Sequence, residues 1–337
     1  MLRFFRQIRK QLLNNNRFRK YLVYAIGEIV LVIIGILIAL NLNNRSAEKK
    51  LEAKVELIFE DIMEELISDI DATFNIMEFY ARRDSVMRLV LEDKITYDQY
   101  KENQTPHLYG LINFSSSANL TQNGYDNLVL NLDAVPPKLK PVIGDLNILY
   151  KTNKKWLQAA EDAIIDTQNK HSDFLKNNFS WYYQDLNSEG GWKNRVEYYL
   201  TYRYKNEVKN YYENGKNQLR EAFKYRKKAI ECYVKIAQLL DKPTTHESFI
   251  FDDEMAAILT GNWHLNSPEE PFHSYKLENG RLYYNFLSSS DSWEVVYLPR
   301  HNKLLHERGP TMYATIVEEN GEPTVELSWG AELKKKD

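Results

Sequence analysis

Residues 21–40 read YLVYAIGEIVLVIIGILIAL, an almost unbroken apolar run with a single charged side chain, Glu28. With its extension to Leu42 the run matches the ~20 residues that a helix rising 1.5 Å per residue needs to cross ~30 Å of hydrocarbon. A cleavable leader has an apolar core of only about 7–15 residues and ends at a small-residue cleavage site. Here the run is longer and exits into the polar NLNNR (41–45). The sequence therefore predicts one retained transmembrane helix over 21–43, and the rest of the chain is organised around it.

Charge orients that span. Residues 1–20 carry seven Lys and Arg and no acid, whereas residues 44–63 carry four (Arg45, Lys49, Lys50, Lys54) mixed with acids. Positive flanks are retained in the cytoplasm. Residues 1–20 thus read as a basic cytoplasmic leader, and the bulk as periplasmic, anchored in a cell inner membrane. Phe4, Phe5, Ile8 and Leu12 beside basic residues suit an anionic inner leaflet, although a flank that merely orients the span explains the same pattern. After residue 20, 37 basic face 47 acidic residues, a formal charge of −10. So acidic a body lacks the basic surface that nucleic acid demands, and no nucleic-acid partner is expected. The one cysteine, Cys232, excludes an intrachain disulfide framework and reads as a buried helical thiol.

Beyond the span, Leu51, Val55, Ile58, Ile62, Leu66, Ile70, Phe74 and Met77 recur every three or four residues without Gly or Pro. They predict a helix continuing to about Glu92. Residues 101–120 lose the period and read as a loop. Thr121 then offers an N-cap for a short helix that Pro136 and Pro137 end. From Leu139 a heptad seam runs through Ile143, Leu146, Tyr150, Asn153, Leu157, Ala160, Ile164, Thr167, His171 and Phe174. A third segment spans Trp192 to about Leu240, with Gly215 weakening its middle. Such stripes cannot bury themselves alone, so residues 44–245 predict an elongated periplasmic helical bundle with a coiled-coil-like seam, part of which a second copy could fill. From 246 apolar and polar residues alternate between turn clusters, including Glu-Asn-Gly at 278–280 and 319–321. Residues 246–333 predict a small antiparallel β-meander or partly closed barrel, followed by a polar tail at 334–337. The expected fold class is mainly α, with this β module appended.

The stretch YLVYAIGEIVLVIIGILIALNLNNR behind the basic RFFRQIRKQLL resembles the signature of an uncharacterised single-pass membrane-anchored family of flavobacteria and other Bacteroidetes. The matching positions are Gly27, Glu28 and Ile29, then Ile34, Gly35 and Ile36; LTQNGYDNLV (120–129) is similar to that family's short helix. The resemblance is specific over residues 1–45 and looser to about residue 180. It implies a Gram-negative inner-membrane protein facing the periplasm and brings no reaction, ligand or catalytic residue. The β module departs from the family's shorter members. Its LTGNWHL opening is similar to the Gly-x-Trp start of lipocalin-like barrels, at Gly261 and Trp263.

Helical spacing places Glu28, Val32, Gly35 and Ala39 on one face with Gly27 beside it, and Gly35 and Ala39 form a small-xxx-small pair that admits close helix approach. A carboxyl inside the hydrocarbon needs a protein or water neighbour. Gly27, Glu28, Gly35 and Ala39 are therefore the candidate transmembrane interface. Snorkelling of Glu28 toward Lys20, and proton or ion coupling in a larger complex, are the alternatives. Aromatics crowd residues 181–212; Trp181, Tyr182, Trp192, Tyr198 and Tyr202 are the candidate partner-binding set, with packing inside the bundle as the competing explanation. His264, His273, His301 and His306 fall in the β module without a zinc-site pattern. No phosphate loop, dinucleotide fingerprint or nucleophile elbow occurs, so no catalytic residue, metal or cofactor is expected. The expected role is a non-enzymatic scaffold or accessory subunit of an envelope complex, self-associating or docking on another membrane subunit. The alternatives are a ligand sensor or carrier using the β module, an ion-coupled subunit using Glu28, and an envelope hydrolase that needs His264, His301 and nearby acids to converge.

Overall fold

The computed structural model describes residues 6–7, 18–102, 105–184, 189–265, 273–286, 290–307, 313–319, 322–327 and 331–335. Most of the basic leader and the turn at 320–321 lie outside the described residues. Two compact units emerge, residues 1–57 with 131–136, and residues 58–130 with 137–337.

Helix α1 (Phe18–Ala81) is continuous and belongs to the first unit up to residue 57. No proline interrupts it, and its run of Leu, Ile and Val from 22 to 42 is exposed on every side. A single 3-10 turn, Leu132–Ala134, completes this unit, where Lys54 Nζ donates to Asn131 Oδ1 at 3.0 Å.

The second unit joins helices to a barrel. From Ile58 onward α1 buries Ile58, Phe59, Ile62, Leu66, Ile70 and Met77, as the stripe predicts. The helix stops at Ala81, and α2 (Asp84–Leu91) completes the expected segment after a two-residue break. α3 (Tyr97–Glu102) and α4 (Asn123–Leu130) flank a turn-rich segment that still buries Leu108, Leu111, Ile112 and Ala118. The start of α4 is held by α1 rather than by its own cap. Glu65 accepts from Gly124 N (3.1 and 3.0 Å), and Asp69 Oδ1 accepts from Thr121 N and Oγ1 (2.9 and 3.1 Å). Carboxylates at a helix N-terminus satisfy free N–H groups and favour the helix dipole. Thr121, expected as the N-cap, is thus a donor to Asp69 instead.

Helix α5 (Lys140–Ile148) passes through a π turn (Leu149–Asn153) into α6 (Lys154–Asn178). The expected seam holds on both sides of this turn, with Leu139, Leu146, Tyr150, Leu157, Ala160, Ile164, Thr167 and His171 buried; at its margins Lys154 and Leu175 are buried in place of Asn153 and Phe174. The third expected segment divides into α7 (Glu189–Tyr199) and α8 (Tyr202–Leu239). The division falls at Thr201, whose hydroxyl accepts from Tyr204 N at 3.3 Å as an N-cap. Gly215 does not interrupt α8; it lies buried within a continuous helix.

Eight strands follow α9 (Asp253–Leu259): β1 (Gly261–Leu265), β2 (His273–Glu278), β3 (Arg281–Phe286), β4 (Ser292–Leu298), β5 (Lys303–His306), β6 (Tyr313–Glu319), β7 (Glu322–Leu327) and β8 (Glu332–Lys335). Each is antiparallel to the next, and β8 returns to β1 with Trp263 opposite Lys335 and Leu265 opposite Leu333. The barrel is fully closed, so no edge strand is left exposed. Lys334 and Lys335 pair within β8, and the expected polar tail from 334 is therefore strand at its start. At Glu278-Asn279-Gly280-Arg281 both central residues adopt positive φ (51° and 74°), the geometry of a two-residue hairpin with an Asn-Gly turn. Alternate residues fill the interior, among them Trp263, Tyr275, Leu282, Val295, Leu304, Val325 and Leu333, while α9 adds Ala256 and Leu259 to the same core.

Candidate functional site

Four groups of residues carry the functional expectations. On α1, Gly27, Glu28, Gly35 and Ala39 are all exposed, and a Cβ built on Gly27 or Gly35 would meet nothing within 4 Å. The unbroken helix keeps Glu28, Val32, Gly35 and Ala39 on one face. That face is open to a second helix.

The aromatic candidates separate. Trp181 and Tyr198 are 8% and 4% exposed and pack with Phe179, which stacks on Trp181 at 4.7 Å and meets Tyr198 at 5.0 Å. Tyr199 and Tyr204 extend the cluster at 4.5 Å from one another. Packing accounts for these rings, and neither Trp181 nor Tyr198 offers a partner surface. Trp192 is half-buried and meets Tyr97 at 6.1 Å. Only Tyr182 and Tyr202 of the five stand exposed, at 38% and 80%.

Of the four barrel histidines, His273 and His306 meet at one tyrosine pair, their rings 5.3 and 4.9 Å from Tyr284, whereas His264 and His301 lie apart from them. His273 and His306 lie inside, where Tyr284 OH meets His273 Nδ1 and Tyr275 OH meets His306 Nε2 at 2.8 Å. His301 instead faces α1, with Nε2 3.2 Å from Glu78 Oε2. His264 sits on β1 and pairs in register with Lys334. Among the described residues no group of three or more His, Cys, Asp or Glu is placed to hold a metal ion. Cys232 is fully buried, and burial pushes its thiol up to about 12, far from a nucleophile's range.

A fourth group, which no local motif announces, occupies the junction of barrel and helices. Arg281 on β3 grips Glu294 on β4 through both guanidinium and carboxylate edges, with Nε to Oε1 at 2.9 Å. Glu294 N donates to Glu307 Oε2 at 3.0 Å, and Lys227 of α8 donates to Glu307 Oε1 at 2.9 Å. Beside them Arg226 of α8 donates to Ile70 O (3.0 Å) and Ser248 O (2.8 Å), tying α1, α8 and the segment before α9 together. Burial pushes the Arg226 guanidinium below its ordinary range, with the Glu294 charge opposing. The only sequence hint was Glu294 within the otherwise apolar strand SWEVVYL; nothing local marked Arg226 as its neighbour.

Comparison of the chain with protein-family models, curated proteins and solved structures returned no match. Among the described residues one helix is long and apolar enough to cross a membrane, and the fold adds a set of packed helices and a closed eight-stranded antiparallel barrel.

Proposed function

We propose that the protein is a single-pass inner-membrane protein with a cytoplasmic N-terminus, and that its second unit is a periplasmic interaction domain of an envelope complex. It acts as a scaffold or accessory subunit rather than as an enzyme. The observation that carries this is the exposure of α1: fifteen large apolar side chains between Leu22 and Leu42 are each 45–73% exposed. At roughly 1 kcal/mol of residual transfer free energy per side chain, leaving them in water costs on the order of 15 kcal/mol. Placing one carboxyl in the hydrocarbon costs only about 3 kcal/mol. Lipid wins by a wide margin.

The Gly27, Glu28, Gly35, Ala39 face supports a second copy or another membrane subunit docking there, which gives Glu28 a polar neighbour. The resemblance over residues 1–45 supports a Bacteroidetes envelope setting. Crosslinking in native membranes tests the docking: Gly35→Ile and Glu28→Leu should each diminish the crosslinked species. An undiminished species in both variants would show that this face makes no contact.

A further inference from the structure

The junction of barrel and helices contains a cavity of about 330 Å³, lined by α1, α8, residues 247–252 and strands β3 and β4. Its charges are arranged by depth. The floor holds Arg226 and Glu294, 4% and 3% exposed, with the Arg281 side chain at 13%. Two guanidiniums thus share one carboxylate, and Glu294 is already committed bidentately to Arg281. Arg226 makes its two bonds to uncharged carbonyls, has no ion pair among the described residues, and its buried Nε–H has no acceptor. The buried floor therefore holds two guanidiniums against the single Glu294 carboxylate, an excess of positive charge that is costly unless an anion offsets it. At the rim the sign reverses, because Asp71, Glu247 and Asp252 are exposed carboxylates lining the same cavity. Phe74 and Phe251 add apolar wall to the same cavity.

We propose that this cavity binds a small zwitterion of the α-amino-acid type, its carboxylate on Arg226 at the floor, its ammonium toward the rim carboxylates, and an apolar side chain against the wall. The geometry selects against other classes of ligand. A multiply charged anion such as phosphate would face the repulsion of three rim acids. A plain amine would find no partner at the floor. The volume falls at the small end of ligand sites, about 300–1,000 Å³, and accommodates one amino acid or a dipeptide. This inference is independent of how the chain meets the membrane.

Thermal unfolding of the full-length protein, purified in a mild detergent, reads the binding directly. Four probes are compared at equal concentration: L-phenylalanine, 3-phenylpropionate, which lacks the ammonium, phenethylamine, which lacks the carboxylate, and inorganic phosphate. L-phenylalanine should raise Tm in a saturable way, and the two half-ligands should bind at least ~10-fold more weakly. Arg226→Gln should abolish the shift. Because Arg226 also ties segments together, the rim double variant Asp71→Asn with Glu247→Gln serves as the independent arm. It should weaken L-phenylalanine at least ~5-fold and leave 3-phenylpropionate as tight or tighter. No shift with L-phenylalanine, a preference for phosphate or phenethylamine, or an order of probes unchanged by the rim variant would overturn the proposal.

Discussion

Tyr80 of α1 packs directly on Gly215 of α8, where a Cβ would come within 2.6 Å of Tyr80 Cε1, and the Tyr80 hydroxyl donates to Gln218 Oε1 at 2.6 Å one turn further along. Glycine is needed here for close approach, since Gly215 lies in the helix and requires no special backbone angle. Gly215→Ala should gain about 1 kcal/mol of helix propensity but lose more to overpacking against a rigid ring, for a net loss of about 1–2 kcal/mol. Gly144 in α5, with nothing within 4 Å of a built Cβ, is the control. Gly144→Ala should stabilise by about 0.5–1 kcal/mol. Urea unfolding of the two variants reads both signs, and equal shifts would contradict the packing explanation.

Buried and exposed ion pairs should differ sharply. Glu294→Gln leaves Arg281 and Arg226 buried without their shared carboxylate, a change expected to cost about 3–5 kcal/mol. Lys170 and Asp166 also pair, at 2.6 Å, but their side chains are 74% and 58% exposed. Asp166→Asn should change stability by less than about 0.5 kcal/mol. Thermal melts compare the two, and a harmless Glu294→Gln would mean that the junction network is not under electrostatic load.

His171 gives the second unit a pH dependence. It is 3% exposed within the aromatic cluster, and burial, assisted by the Arg203 charge, lowers its pKa to about 4. The unfolded chain binds this proton near 6.5 and the folded chain only near 4, so stability is complete above pH 6.5 and is lost as pH falls toward 4. The full loss is about 3 kcal/mol. His171→Leu should flatten the stability profile between pH 6.5 and 4. A wild-type profile already flat in that window would contradict the buried neutral imidazole.

Thr201 tests the helix boundary. If its hydroxyl caps α8, Thr201→Ala should cost about 1 kcal/mol and Thr201→Ser much less. Amide exchange at Arg203 and Tyr204 should quicken in the alanine variant alone.

Much of this architecture was legible in the residues. The stripe of Ile58, Ile62, Leu66 and Ile70 and the Asn279-Gly280 turn are local signals whose physics lies within one or two turns of chain, and both hold. What escaped depends on contacts far apart in sequence. Gly215 looked like a weak point because its function is set by Tyr80, 135 positions earlier. The π turn at Leu149–Asn153 carries no local signal, although the seam on either side of it, Leu146 and Tyr150 then Leu157 and Ala160, is buried as the heptad spacing predicts. Barrel closure depends on β1 meeting β8, a pairing that no local alternation encodes. Composition left Trp181 and Tyr198 open to either partner contact or packing inside the bundle, and they pack, on Phe179 and on one another. Helical spacing alone puts Glu28, Val32, Gly35 and Ala39 on one side of α1, with Gly27 beside them. The Arg226 cavity was not legible in that way, since its lining comes from residues 71 to 299.

Alkaline carbonate extraction of membranes from cells expressing the full-length chain tests the anchor most directly. A lipid-embedded α1 keeps the protein in the membrane pellet at its full length, residues 21–42 included. Release into the supernatant, or recovery of a mature chain that starts beyond residue 40, would contradict the membrane anchor on which the proposed function depends.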